Sequence, residues 1–145
     1  METIEESVEI NSPVDKVFAY TLQAKSWPEW QSIIMESEQT SQGPVSVGTT
    51  FKGIARMMGL SMKWTAKATE YKLNRNWTKN ITSGGLNIAE HATYDAIDVG
   101  TKFSIIYDVK VGGVLKLFSS MVVRTMRKET KKSLIDLKSI LEAKI

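Results

Sequence analysis

Few side chains in this 145-residue chain are placed to do chemistry, and two of them are adjacent: Glu90 and His91, the latter being the only histidine. Neighbours in a strand point to opposite faces, so at most one of the pair looks inward. If the even face of the stretch (Leu86, Ile88, Glu90, Ala92, Tyr94) is the inner one, Glu90 is a buried carboxylate suited to proton transfer; if the odd face is inner, His91 takes that place. A third candidate is Glu129. With Thr125 and Ser133 it repeats every four residues, on the continuation of an apolar helical stripe where a dry core would carry leucine. Polar groups on an inward face need partners or water. Either a helix crosses a solvated cavity there, or that turn is exposed and Glu129 pairs with nearby Lys or Arg. Around it runs a basic series, Arg124, Arg127, Lys128, Lys131 and Lys132. It reads as a docking face for anionic lipid or an acidic partner, or as the solvated flank of a gripped helix. No aromatic residue is interleaved between 124 and 132, so the run does not point to nucleic acid.

Composition narrows the chemistry further. With no cysteine there are no disulfides, thiol nucleophiles or iron–sulfur clusters, and a single histidine makes a histidine-based metal site improbable. No metal and no cofactor are expected. The chain is long enough to bury one real core as a single domain over residues 1–145, with 42% hydrophobic and 24% charged residues. No apolar run approaches the roughly 18 residues of a membrane span, and the N-terminus (Glu2, Glu5, Glu6) is acidic where a signal peptide is basic. A cytoplasmic location is expected. The net charge of +3 matters only if the positive residues gather on one face.

The elements that must hold these residues follow from periodicity. Thr3 to Ile10 alternates as a strand, and Ser12 (an N-cap) with Pro13 at the first helical position opens a short helix anchored by Phe18. A second helical turn spans Ser26 to Ile33, with Ser26 as its cap and Trp27 and Trp30 on its apolar side. From Glu36 the period becomes two. Strands run through Phe51–Met57, Leu60–Thr69, Asn76–Ser83 (Trp77 and Ile81 on one side), Leu86–Ile97 and Lys102–Val111, separated by turns at Gly59, Leu73-Asn74-Arg75, Gly84-Gly85 and Asp98-Val99-Gly100. After Gly112-Gly113, apolar residues recur at helical spacing: Leu115, Phe118, Val122, Met126, then Leu134, Leu137 and Leu141. One long C-terminal helix to Ile145 is predicted. Meandering strands must cover their dry face, and only this helix is long enough.

That order resembles the Bet v 1-like helix-grip fold and, within it, the START-like (SRPBCC) superfamily of polyketide cyclases/dehydrases and lipid-transfer proteins. The likeness rests on the opening strand leading into Ser12-Pro13-Val14-Asp15-Lys16-Val17-Phe18, on Trp27-Pro28-Glu29-Trp30, on Val47-Gly48-Thr49, on Val99-Gly100-Thr101 before the last strand, and on the ending Leu134 to Glu142. It covers essentially the whole chain. The resemblance implies an α+β fold in which a curved antiparallel sheet of about seven strands and two short helices wrap a long C-terminal helix. It also implies a cavity between sheet and helix that takes a hydrophobic or amphipathic small molecule without a cofactor. The residues that would line it are Phe51, Met57, Met62, Trp64, Trp77, Ile81, Phe103, Ile105 and Tyr107 from strands, with Phe118, Val122 and Met126 from the helix. The same side chains could instead fill a solid core. Binding or transport is the expected activity; cyclase- or dehydratase-like catalysis through Glu90, His91 or Glu129 is the alternative, and contact with a membrane surface is a further option. The chain is expected to act as a monomer or homodimer.

Overall fold

The computed structural model describes residues 2–144, so Ile145, the expected end of the helix, lies outside the described residues. β1 (Glu2–Ile10) buries Ile4 and Ile10 and leaves its glutamates outside or at the margin. α1 (Val14–Leu22) follows, burying Val17, Phe18 and Thr21. Pro13, not Ser12, holds its cap position. Ser12 is tied instead to the sheet, its carbonyl accepting from Thr101 Oγ1 at 2.7 Å. A 3-10 turn (Ala24–Ser26) runs directly into α2 (Trp27–Trp30). The Ser26 hydroxyl therefore does not cap α2 but sits 2.8 Å from the carbonyls of Tyr20 and Gln23.

Six strands come next: β2 (Ile34–Gln39), β3 (Thr50–Met57), β4 (Leu60–Lys72), β5 (Asn76–Ser83), β6 (Leu86–Ile97) and β7 (Gly100–Val111). With β1 they form one antiparallel sheet in the order β1-β7-β6-β5-β4-β3-β2. The β3–β4 link is a two-residue turn in which Met58 (φ 54°) and Gly59 (φ 78°) are both left-handed, the geometry that matches the twist of a tight hairpin. Alternation decides the faces. β7 buries Phe103, Ile105, Tyr107 and Val109, and β6 buries Leu86, Glu90, Ala92 and Tyr94, so the even face of β6 is the inner one.

The long C-terminal helical stretch begins with a 3-10 segment, Gly113–Phe118, and becomes α3 at Ser119–Ala143, 25 residues or about 38 Å. α3 lays Val122, Val123, Met126, Leu134, Leu137 and Leu141 onto the sheet. Its far end is fastened by Lys138 Nζ to the Glu9 carbonyl (2.8 Å) and to Glu142 (2.6 Å), whose carboxylate also accepts from the Asn11 N–H at 2.9 Å. A curved antiparallel sheet thus grips one long helix.

Candidate ligand-binding cavity

The register of three consecutive strands places Lys79 opposite Glu90 and Glu90 opposite Tyr107. All three side chains face inward and are buried, making a polar row across an otherwise apolar floor. Lys79 Nζ lies 3.4 Å from Glu90 Oε2. The same ammonium stands 3.5 Å above the centre of the Trp27 ring and 4.9 Å from that of Trp77, so aromatic faces as well as a carboxylate surround it. Burial pulls the Lys79 amine below its ordinary value of 10.5, against the opposing effect of Glu90. Burial pushes the Tyr107 hydroxyl well above 10.0, and the charge of Glu90 adds to the rise, so the phenol stays a hydrogen-bond donor.

Above this row lies a cavity of about 90 Å³. Met57, Met62, Trp64, Ile81 and Ile88 form its sheet wall, Trp27 and Gln31 close the α2 side, and Met126, Glu129, Thr130 and Ser133 come down from α3. At roughly 30 Å³ per water the space holds about three waters or one compact organic molecule. The polar break in α3 is therefore partly a cavity wall: Thr130 and Ser133 are buried against it, while half-buried Glu129 reaches its margin and accepts from Ser32 Oγ at 2.6 Å. Thr125 is half-buried and does not line it. Trp64 is fully packed, yet its indole N–H has no hydrogen-bond partner among the described residues. Gly53, opposite Trp64 on β3, makes that packing possible, because a Cβ there would stand 2.5 Å from the indole ring.

The expected lining residues divide into three groups. Met57, Met62, Trp64, Ile81, Tyr107 and Met126 border the cavity. Phe51, Trp77, Phe103, Ile105 and Val122 are buried in solid packing around it: Phe51 and Trp77 lie 5.1 and 6.2 Å from Trp27, and Phe103 lies 5.0 Å from Tyr94. Phe118 is in neither group. It is 47% exposed, because the chain is still in its 3-10 turn there and the stripe that faces the sheet begins only at Val122. Of the adjacent pair, Glu90 faces the cavity and His91 the opposite side of the sheet. His91 Nε2 is 3.1 Å from Asp108 Oδ2 and Nδ1 is 3.0 Å from Thr78 Oγ1.

Lys79, Trp27, Gln31 and Thr130 were not among the expected site residues. The signal for Lys79 was present, since Trp77, Lys79 and Ile81 are spaced by two and must share a face.

Residues 1–142 match the family described as polyketide cyclase / dehydrase and lipid transport. No curated protein matches the chain by sequence. Among solved structures, the fold is similar to the Zhui aromatase/cyclase from Streptomyces sp. R1128 (TM-score 0.85, 11% identity, 97% of this chain and 93% of that one). It is similar also to the protein TTHA0849 from Thermus thermophilus (TM-score 0.83, 12% identity, 99% of each chain). Ara h 8.0201 superposes with a TM-score of 0.75 at 17% identity over 98% of each chain, which makes the fold Bet v 1-like. The chain belongs to the polyketide cyclase/dehydrase and lipid transport family.

Proposed function

We propose that this protein binds, and carries within the cytoplasm, a compact amphipathic molecule in the cavity between its sheet and α3. The observation that supports this is an ion pair, Lys79–Glu90, set in the floor of an apolar cavity. A cavity meant only to be filled would carry leucine there, since charges cost several kcal/mol each to bury. The ligand's apolar body packs on Met57, Met62, Ile81 and Met126, whose flexible thioethers adapt to its shape. Its oxygen-bearing end turns to Lys79, Tyr107 and the unpartnered N–H of Trp64. Native mass spectrometry of the purified chain is expected to show one bound small molecule, or one-to-one uptake of an anilinonaphthalene dye displaced by a medium-chain ketone or acid. A chain that holds nothing and takes up no dye would overturn the reading.

A second reading, a cyclase- or dehydratase-like enzyme without metal or cofactor, is favoured by the row Lys79, Glu90, Tyr107. It sets a proton acceptor between an amine and a phenol that stays a donor. Under this reading Glu90→Gln abolishes turnover of a ketone substrate without unfolding the chain, and His91→Ala, on the far face of the sheet, leaves turnover intact.

A further inference from the structure

Lys79 does more than an anchoring cation needs to do. Its charge is already matched by Glu90, so as an ammonium it offers an incoming ligand little unpaired charge. What the site retains is an amine at the edge of the cavity, a carboxylate within reach of its protons, and a donor phenol on the next strand. We propose that Lys79 holds a carbonyl ligand covalently, as a reversible imine formed with an aldehyde or ketone, with Glu90 carrying the protons; this rests on the ligand-cavity reading above.

The step balances without a co-reactant. The Nζ lone pair adds to the carbonyl carbon, the C–N bond forms, and the π pair moves to oxygen. Glu90 first takes a proton from the Lys79 ammonium to free that lone pair and gives it to the alkoxide, making the carbinolamine hydroxyl. It then takes a second proton from the nitrogen and delivers it to that hydroxyl, so both protons moved to the departing water come from the nitrogen and one proton stays on the imine. The C–O bond then breaks, and one water leaves as the C=N bond closes. Nothing is oxidised or reduced, and water entering the cavity reverses the sequence. Tyr107 is a donor for the carbonyl oxygen as negative charge gathers there. A protonated imine carries its charge at the former ammonium position, so Glu90 at 3.4 Å and the Trp27 face at 3.5 Å keep the cation they already hold. Burial favours the neutral amine, which is the nucleophile.

The test is reductive trapping with hexanal. The full chain is incubated near neutral pH with hexanal and sodium cyanoborohydride, and hexylated lysines are mapped by peptide mass spectrometry. Lys79 is expected to be labelled at least about tenfold faster than any surface lysine, with the anilinonaphthalene dye protecting it in the unmodified chain. Glu90→Gln is expected to slow the labelling, and Lys79→Arg to remove it. Dye protection needs no variant, so the test survives if either substitution disturbs folding. Labelling spread over surface lysines with Lys79 spared, in a chain that still takes up dye, would overturn the imine and leave the ligand cavity standing. Absence of both dye uptake and Lys79 labelling would overturn both.

Discussion

Lys79 and Glu90 are buried where cross-strand pairing alone would be satisfied by two apolar residues, so their energetics set them apart from the rest of the floor. Removing one charge strands the other away from water, at a cost of about 3–5 kcal/mol, whereas replacing both by apolar residues of similar size is close to neutral. Lys79→Met is accordingly expected to lower unfolding stability by about that amount, and Lys79→Met with Glu90→Leu to recover most of it, as read from urea midpoints. The pair also imposes a pH dependence of fixed sign. Folding lowers the Lys79 amine below 10.5, so just under that pH the unfolded chain binds the extra proton, and stability rises with pH there. From 10.0 upward the two buried phenols outweigh this single amine and the net sign reverses, because burial raises Tyr94 and Tyr107 and the folded chain then keeps the protons. The net rise is therefore confined to pH below about 10. The double variant is expected to lose the rise and keep the fall.

At the scale of elements, α3 divides at its middle. Leu134, Leu137 and Leu141 fasten it to the sheet, and Thr130 and Ser133 roof the cavity. Ser133→Leu places a larger apolar side chain into that space. Because the volume is open, the substitution is expected to change stability by less than about 1.5 kcal/mol while strongly reducing dye uptake; solid packing there would instead cost up to about 3 kcal/mol through strain. This division was half legible in the sequence. The interruption of the apolar stripe at residues 125–133 is plain in the side-chain types, but whether a polar turn faces a cavity or bulk water depends on which strand lies across from it. That is a tertiary fact: Ser32, just before β2, reaches Glu129 across 97 positions of chain. The strand faces were legible wherever alternation was clean, as along Phe103, Ile105, Tyr107 and Val109, and undecided in β6, where Glu90 and His91 are both polar and its partner strand breaks the tie. Lys79 was hidden by residue type and not by pattern, since a lysine between Trp77 and Ile81 reads as solvent-facing unless its spacing outweighs its charge. The 3-10 start of the helix was illegible because Leu115 and Phe118 keep helical spacing whether or not anything covers them.

Across the whole molecule the exposed apolar residues are unevenly placed. The antiparallel order brings the start of β2, the β3–β4 turn, the β5–β6 turn and the β7 exit to one end of the sheet. Met35, Met58, Leu60, Val114, Leu117 and Met121 stand exposed there, with Val114 and Leu117 at 78% and 83%. Met57 and Leu86, at the same end, border the cavity. The exposed charges around these residues are mostly basic, Arg56, Lys110, Lys116 and Arg124 against Glu2 and Glu36. Apolar tips ringed by cations complement an anionic bilayer surface, and the basic residues of α3 beyond Arg124 continue the same sign along the helix. The chain is expected to co-sediment with phosphatidylcholine vesicles containing phosphatidylglycerol and to remain in solution with phosphatidylcholine alone. Raising the salt to about 1 M, where the screening length falls to about 3 Å, is expected to release it. Lys116→Glu with Arg124→Glu should weaken the association at least about tenfold, since each basic residue at a membrane surface contributes on the order of 1 kcal/mol. Leu117→Glu should abolish it without changing dye uptake, because Leu117 does not line the cavity. Vesicle binding indifferent to both substitutions would remove the bilayer as the occupant of this end, and a concentration-dependent dimer dispersed by Leu117→Glu would assign the apolar tips to a second copy of the chain.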